Sequence, residues 1–404
     1  MHKIERLLQT LAPKGVEFRK LGEVCDFQKG KSITKKAVTF GKVPVISGGR
    51  QPAYYHNEAN RSGETIAISS SGVYAGYVSY WDIPVFLADS FSVSPKQKTL
   101  MPKYLFHYLT TQQDAIHATK STGGIPHVYS KDLQNFLIPI PPLEIQQEIV
   151  KILDAFTELN TELNTELKAR KKQYEYYQNM LLDFKDANQN HKDAKMSAKT
   201  YPKRLQTLLQ TLAPKGVEFR KLGEVCEILD NRRIPIAKNK RNPGIYPYYG
   251  ANGIQDYIDS YIFDGDFVLV GEDGSVINKD NTPVVNWASG KIWVNNHAHV
   301  LQTKNELKLK FLYFYLQTID VSYCVAGTPP KINQENLKKI TIPIPPLEIQ
   351  QEIVKILDQF SILTTDLLAG IPAEIEARKK QYEYYREKLL TFKPLTPHKE
   401  VKKC

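Results

Sequence analysis

The chain has 404 residues, 42% of them hydrophobic, with 54 Lys and Arg against 43 Asp and Glu, a net charge of +11. That length suits two or three domains with ordinary cores, and the basic balance favours a polyanionic partner. No run approaches the ~20 apolar residues of a membrane helix, and the opening MHKIERLLQTLAPKG lacks the apolar stretch of a signal peptide. Cys25, Cys226, Cys324 and Cys404 form no CxxC pair, which argues against a disulfide framework or a structural zinc site and fits a reducing cytoplasm.

Taken in chain order, the first elements are a short amphipathic helix over Ile4–Leu11, stopped by Ala-Pro-Lys-Gly, and a strand and turn in VEFRKLGEVC. Short β segments follow (VPVIS, ETIAISSS, YAGYVSYW, DSFSVSP), punctuated by Gly, Pro, Asn and Asp. Tyr74, Tyr77 and Tyr80 read as a cross-strand aromatic set in the core. The spacing of Leu, Phe and Tyr then predicts a helix near Lys103–Thr119. The arm IPIPP is extended, because its prolines bar it from a helix interior or a central strand.

From Glu144 the pattern becomes heptads: Ile149, Phe156, Leu163, Arg170, Tyr177 and Phe184 on one seam, with Leu159, Leu167, Tyr174 and Leu181 on the other. About five heptads at 1.5 Å per residue make a coiled-coil helix roughly 55–60 Å long. Within it, Thr157–Asn160, Thr161–Asn164 and Thr165–Lys168 form a tandem tetrapeptide. Removing one unit shortens a helix by about 6 Å, close to one or two base-pair steps of ~3.4 Å. A polar stretch, 185–203, reads as a flexible linker.

The chain then repeats itself. Leu7–Cys25 is restated by Leu208–Cys226, Ile138–Asp154 by Ile342–Asp358, and Ala169–Tyr177 by Ala377–Tyr385. In between, Asp26–Leu137 and Glu227–Thr341 differ widely. Identical parts suit identical partners, and divergent parts suit two different targets. The second helix matches the first through Ile353, Phe360, Leu367, Tyr382, Tyr385, Leu389 and Phe392. Its middle holds Ala369-Gly370-Ile371-Pro372, which should kink or split it. The expected organisation is a globular domain over 1–143, a spacer helix over 144–184, the linker 185–203, a second domain over 204–347, a second spacer over 348–392 and a basic tail over 393–404. A pseudo-two-fold axis would set the helices antiparallel and give a dumbbell. The fold class is mixed α/β (α+β), a tandem repeat with long coiled-coil helices.

Catalytic signatures are missing. Gly30-Lys31-Ser32 lacks the earlier glycine of a phosphate-binding loop, whose place Cys25 takes. There is no Gly-x-Ser-x-Gly, His-Glu-x-x-His, Gly-x-Gly-x-x-Gly or Asn/Asp-Pro-Pro-Tyr/Phe motif. Acidic pairs such as Glu272-Asp273 read as turn residues.

PKGVEFRKLGEVC, a variable domain, IPIPPLEIQQEIVKILD and a long helix, all repeated, together resemble the specificity subunit of type I restriction–modification systems. The resemblance covers nearly the whole chain apart from linker and tail. It implies two target recognition domains, each reading one half of a split double-stranded DNA sequence. It also implies helices that set the spacing and dock two modification (methyltransferase) subunits, with endonuclease/translocase subunits outside. The chain itself would perform no chemistry and bind no cofactor or metal, and S-adenosylmethionine would belong to the modification subunits. Tetrapeptide repeats that set half-site spacing also occur in that family. The break at Gly370–Pro372 departs from the pattern and leaves the length match between the helices open. The competing readings are a structural tether with two protein-binding domains on a rod, and a solitary methyltransferase or nuclease fused to recognition domains.

DNA reading needs phosphate contacts for affinity and base-edge contacts for sequence. In the first domain the candidates are Lys29, Lys31, Lys35 and Lys36, the loop residues Arg50 and Gln51, and Lys120, Ser121, Thr122, His127 and Tyr129. In the second they are Arg232, Arg233, Lys238, Lys240, Arg241, Asn252, Thr328, Lys331 and Asn333. Sequence alignment of the copies places Gly48 with Gly250, Gly72 with Gly274 and Arg50 with Asn252, and arginine suits guanine where asparagine suits adenine. The alternative for each loop is a solvated turn. Gln146, Gln147, Arg170, Lys171, Gln350, Gln351, Arg378 and Lys379, shared by both copies, read as surface for docking identical subunits, or else as the solvated face of a coiled coil.

Overall fold

The computed structural model describes residues 2–96, 98–121, 124–184, 201–274, 276–365 and 370–395. Thr122, Ala369, Cys404, most of the expected linker (185–200) and the tail from 396 lie outside the described residues. The chain forms two units by internal contacts: Met1–Asn164 with Glu374–Cys404, and Thr165–Ala373.

In the first unit, α1 (His2–Leu11) precedes β1 (Glu17–Lys20), a helical turn α2 (Leu21–Val24) and β2 (Cys25–Lys29). A 3₁₀ turn at Lys35–Ala37 leads to β3 (Phe40–Ile46), β4 (Tyr54–His56), β5 (Thr65–Ser69), β6 (Val78–Trp81), β7 (Phe86–Leu87) and β8 (Ser90–Pro95). Helices α3 (Pro102–Thr111), α4 (Gln113–Ala118) and α5 (Ser130–Leu133) follow, then β9 (Leu137–Ile140) and the 40-residue α6 (Leu143–Leu182), whose residues from Thr165 onward belong to the second unit. The strands make sheets of order β2-β8-β5-β6 and β4-β3-β7. The proline arm pairs only with β1, as Phe18 opposite Pro139, in a two-stranded ribbon. That is a place where a residue without an N–H is tolerated.

In the second unit, α7 (Lys203–Leu212), β10 (Phe219–Lys221), α8 (Leu222–Val225) and β11 (Cys226–Ile228) repeat the opening. Then come β12 (Pro243–Gly250), β13 (Gly253–Ile258), β14 (Phe263–Gly271), β15 (Val285–Val294), β16 (Ala298–Thr303), α9 (Leu309–Leu316), α10 (Gln334–Lys339), β17 (Thr341–Pro343) and α11 (Leu347–Thr365). Here one sheet runs β11-β16-β14-β15-β12-β13. Its long β15 pairs antiparallel with β14 and parallel with β12. In the first unit β6 and β7 share those two roles, pairing with β5 and β3 respectively. Pro84 lies in the gap between them, where a missing N–H ends a ladder. The expected helix near Lys103–Thr119 is two helices, α3 and α4, and α3 seats Tyr104, Leu105 and Leu109 in the core beneath β5.

The second spacer is split: α11 ends at Thr365 and α12 (Ile371–Leu390) begins with Pro372 in its first turn, where its missing N–H costs nothing. Each unit contains one helix pairing built from the same aromatic trio. In the first, Phe156 of α6 stacks on Tyr385 (5.5 Å) and meets Tyr382 edge-on. In the second, Phe360 of α11 stacks on Tyr177 (5.2 Å) and meets Tyr174 of α6. In the first unit Tyr382 is hydrogen-bonded to Thr157 while Arg386, one turn on, lies by the His107–Asp154 pair, so the two helices run antiparallel.

Candidate nucleic-acid interface

In both units the backbone brings three loops to one place by the same hydrogen bonds. In the first, the Gly72 amide donates to Pro126 O (3.0 Å), Val128 N to Ser70 O (2.9 Å) and Ser70 N to Asp89 O (3.0 Å). In the second, Gly274 N donates to Pro330 O (3.0 Å), Ile332 N to Glu272 O (2.9 Å) and Glu272 N to His297 O (2.8 Å). Gly72 and Gly274 sit at φ +84° and +79°, the left-handed region that favours glycine. The candidate residues 120–121 and 124–129, and 327–333, are thereby fixed against the ends of β5 and β14. The scaffold is common, and the side chains it carries are not.

In the first unit the connection from β3 to β4, residues 47–53, joins this cluster. Ser69 Oγ donates to Ser47 O (3.2 Å), and Gly48 packs so closely on Ser71 O that a Cβ there would stand 2.5 Å away. Arg50 lies over the rings of Tyr74 (4.9 Å) and Tyr77 (5.6 Å). Tyr74 is therefore no core residue but 42% exposed, and Tyr80 instead hydrogen-bonds Glu64. Lys120 Nζ donates to Val73 O (3.4 Å), and the His127 ring stacks on Tyr129 at 6.0 Å. Burial, then the charges of Lys120 and Arg50, lower the His117 pKa against the pull of Asp114. Gln51, Lys29, Lys31, Lys35 and Lys36 are exposed, and Ser121 is half-buried, its hydroxyl accepting from His127 N (3.1 Å).

In the second unit the pairing of Arg50 with Asn252 does not hold in space. There the β12–β13 connection is only Ala251 and Asn252, a tight hairpin turn, so Arg50 stands on a longer loop with no counterpart. Asn252 is exposed at that turn. Arg233 is not free to meet DNA: it is 12% exposed, paired with Asp230 (3.4 Å) and Glu272 (2.5 Å), and donates to Ala298 O (2.9 Å). Glu272 also holds Lys331 (3.1 Å). His299, fully buried, contacts Asp230 (2.6 Å) and Ile332 O (2.8 Å). Burial would raise the Asp230 carboxyl, but hydrogen bonding from His299, the charges of His299 and Arg233 and the Val300 amide outweigh it and lower its pKa. Asp230, Glu272 and His299 lie within 4.8 Å of one another, and two cations already neutralise them. Nothing in the sequence flags this network, whose members come from four separate segments.

Arg241 is likewise held inside, on the Tyr248 ring (4.0 Å), by Asp256 and by Ile236 O. Arg232 lies over Phe263 and donates to Ile262 O (3.1 Å). Lys238, Lys240, Thr328 and Lys331 are exposed, and Asn333 is the N-cap of α10, its side chain accepting from Asn336 N (2.8 Å).

Two docking candidates are corrected. Gln146 and Gln350 are fully buried and face no partner surface. Gln146 Nε2 donates to Thr99 O (2.8 Å) and Pro141 O (2.7 Å), and its Oε1 accepts from Met101 N (2.9 Å). Gln350 does the same with Glu306 O, Pro345 O and Lys308 N. The repeat preserves these glutamines because they bolt arm and loop to the spacer helix. Gln147, Gln351, Lys171 and Lys379 are exposed, while Arg170 and Arg378 pair with Glu166 and Glu374 one turn earlier. Burial pushes the Cys25 and Cys226 thiols up to about 12, which leaves them inert at neutral pH. No helix of the described residues is long and apolar enough to cross a membrane.

The type I restriction modification DNA specificity domain matches at residues 13–172 and again at 214–377, so the chain belongs to that family and is a DNA-recognition chain with two recognition domains. It is 45% identical over 179 residues to the provisionally named type I restriction enzyme specificity subunit S.HindORF215P of Haemophilus influenzae, covering 43% of this chain and 46% of that one. The first of these matches thus spans less than half of its relative's length. It is 26% identical to the EcoR124I/EcoR124II specificity subunit of Escherichia coli over 98% of both chains. The crystal structure of a type I restriction–modification S subunit from M. genitalium shares the fold, with TM-score 0.66 at 18% identity, over 93% of this chain and 96% of that one.

Proposed function

We propose that each unit reads one half of a bipartite double-stranded DNA target through its three-loop cluster, and that the chain performs no chemistry of its own. The observation that carries this is the common backbone frame with different side chains: the same hydrogen bonds fix residues 70–72 and 126–128 in one unit and 272–274 and 330–332 in the other. A frame that holds its loops while changing their chemistry is what two recognition events of different sequence require. The net charge of +11 supplies the electrostatic part. The repeated helix surfaces around Gln147, Lys171 and Lys172, and Gln351, Lys379 and Lys380, would dock two modification subunits in equivalent ways, with endonuclease/translocase subunits joining that complex in the cytoplasm. S-adenosylmethionine would be bound by the modification subunits.

The test is selection from a randomised duplex pool with the chain assembled on its modification subunits. Enrichment of two short sequences separated by a fixed unspecified gap is the expected outcome. An assembled complex that enriches nothing, with binding insensitive to salt, would leave the protein tether as the better description.

A further inference from the structure

Arg50 differs from Arg19, Arg61, Arg204, Arg220, Arg232, Arg233 and Arg241 in what it does with its donors. Arg61 donates to Ser92, Asn60 O, Gln28 O and Lys29 O. Arg19, Arg204 and Arg220 pair with glutamates, and Arg232, Arg233 and Arg241 each donate to backbone carbonyls. Among the described residues none offers Arg50 an accepting oxygen or a paired carboxylate. It is exposed, and what touches its guanidinium is two tyrosine faces, Tyr74 at 4.9 Å and Tyr77 at 5.6 Å.

That arrangement holds the guanidinium in place through its π face and leaves its N–H groups free at the rim. The loop beneath it is held too, through Ser69 Oγ to Ser47 O and the close seat of Gly48 on Ser71 O. A flexible surface arginine serving only phosphate needs neither platform nor anchored loop. A positioned planar fork with unused donors suits a base edge that offers two acceptors side by side. In the major groove only guanine does so, through O6 and N7. Lys120 lies close by and, with Arg50, outweighs the pull of Asp114 on His117, so the local balance is basic and suits a polyanion.

We infer that Arg50 reads a guanine in the half-site recognised by the first unit, held for that purpose by Tyr74 and Tyr77. This rests on the reading of the units as DNA-recognition domains. The second unit has only a two-residue turn in place of this loop, so the guanine contact belongs to one half-site and not to both.

The test repeats the pool selection with the assembled complex carrying Arg50→Ala, Arg50→Gln and Tyr74→Ala. The wild-type complex should show an invariant guanine at one position of one half-site. With Arg50→Ala that position should lose its preference, with affinity for the guanine-containing site falling about 5- to 150-fold, while the other half-site and the gap stay unchanged. Arg50→Gln should move the preference at that position towards adenine, and Tyr74→Ala should weaken it. A uniform loss across all sequences with a shallower salt dependence would make Arg50 a phosphate contact and overturn the inference. So would an unchanged sequence preference in Arg50→Ala. If the wild-type complex selects no bipartite sequence, the recognition reading itself falls, an outcome distinct from both.

Discussion

Replacing Gln146 by leucine separates a buried bolt from a docking surface. Leucine keeps most of the volume, so the loss is one of hydrogen bonds rather than of packing. The carboxamide makes three bonds of 2.7–2.9 Å, to Thr99 O, Pro141 O and Met101 N, at a site with no solvent access. Each net bond contributes about 1 kcal/mol, and the groups left behind cannot turn to water, so the cost is about 3 kcal/mol or more. Met101 is the residue before α3, and Pro141 ends the arm that enters α6, so the damage should appear where α3 meets the spacer. Hydrogen exchange read by mass spectrometry on peptides covering Pro102–Thr111 should show protection falling about 150-fold in Gln146→Leu. The peptide over Leu309–Leu316 should be unaffected. Gln350→Leu should give the mirror result. The reasoning is refuted if Gln146→Leu leaves exchange in α3 at the wild-type level, and more so if it also abolishes capture of the modification subunit, which would restore the glutamine to a partner surface.

Asp230→Asn should destabilise the second unit by about 3–5 kcal/mol at neutral pH, since it removes the buried carboxylate paired with Arg233 and hydrogen-bonded to the His299 ring. Because the Asp230 pKa is lowered by folding, that stability is present above the ordinary carboxylate value of about 4 and is lost as pH falls through the lower folded value. The wild-type advantage in thermal unfolding should therefore shrink below pH ~4, and an advantage that stays constant down to pH 2 would contradict the assignment. Deleting Thr161–Asn164 removes about 6 Å of α6 and should change the gap of the selected DNA site by one or two base pairs of ~3.4 Å. An unchanged gap would remove the spacer role. Tyr176 and Tyr384, repeat equivalents 62% and 59% exposed, should tolerate change to Asp without loss of helix content by circular dichroism. The double variant should fail to co-purify with the modification subunit, and full recovery of the complex would place the docking surface elsewhere.

The helices and the repeat were open to sequence reading because both are periodic. Heptads name their own seam, and Phe156 and Phe360 fall on it with Tyr382, Tyr385, Tyr174 and Tyr177. The split at Pro372 was legible for the same local reason. Burial of a polar residue was not. Gln146 and Gln147 look alike in a sequence, yet one is sealed among carbonyls and the other faces water, a difference set by the arm and the 99–101 loop folding over one helix face. Arg233 looked as available as Arg232, but pairing with Asp230 and with the distant Glu272 and Ala298 O removes it from the surface.

The repeat also misled where it was most persuasive. Gly72 and Gly274 correspond in space because both hold the same left-handed turn beneath the same carbonyl. Arg50 and Asn252 do not, because the chain between β3 and β4 is longer than that between β12 and β13. Loop length changes at little cost to stability, so it can diverge while the hydrogen bonds around it stay fixed. The frame residues Ser70, Gly72, Pro126 and Val128 must keep their backbone positions for the cluster to form at all, whereas Arg50 answers only to what lies opposite it. Change in a recognised sequence is therefore easiest by altering the length and side chains of residues 47–53 or 251–252, and hardest at the glycines beside them.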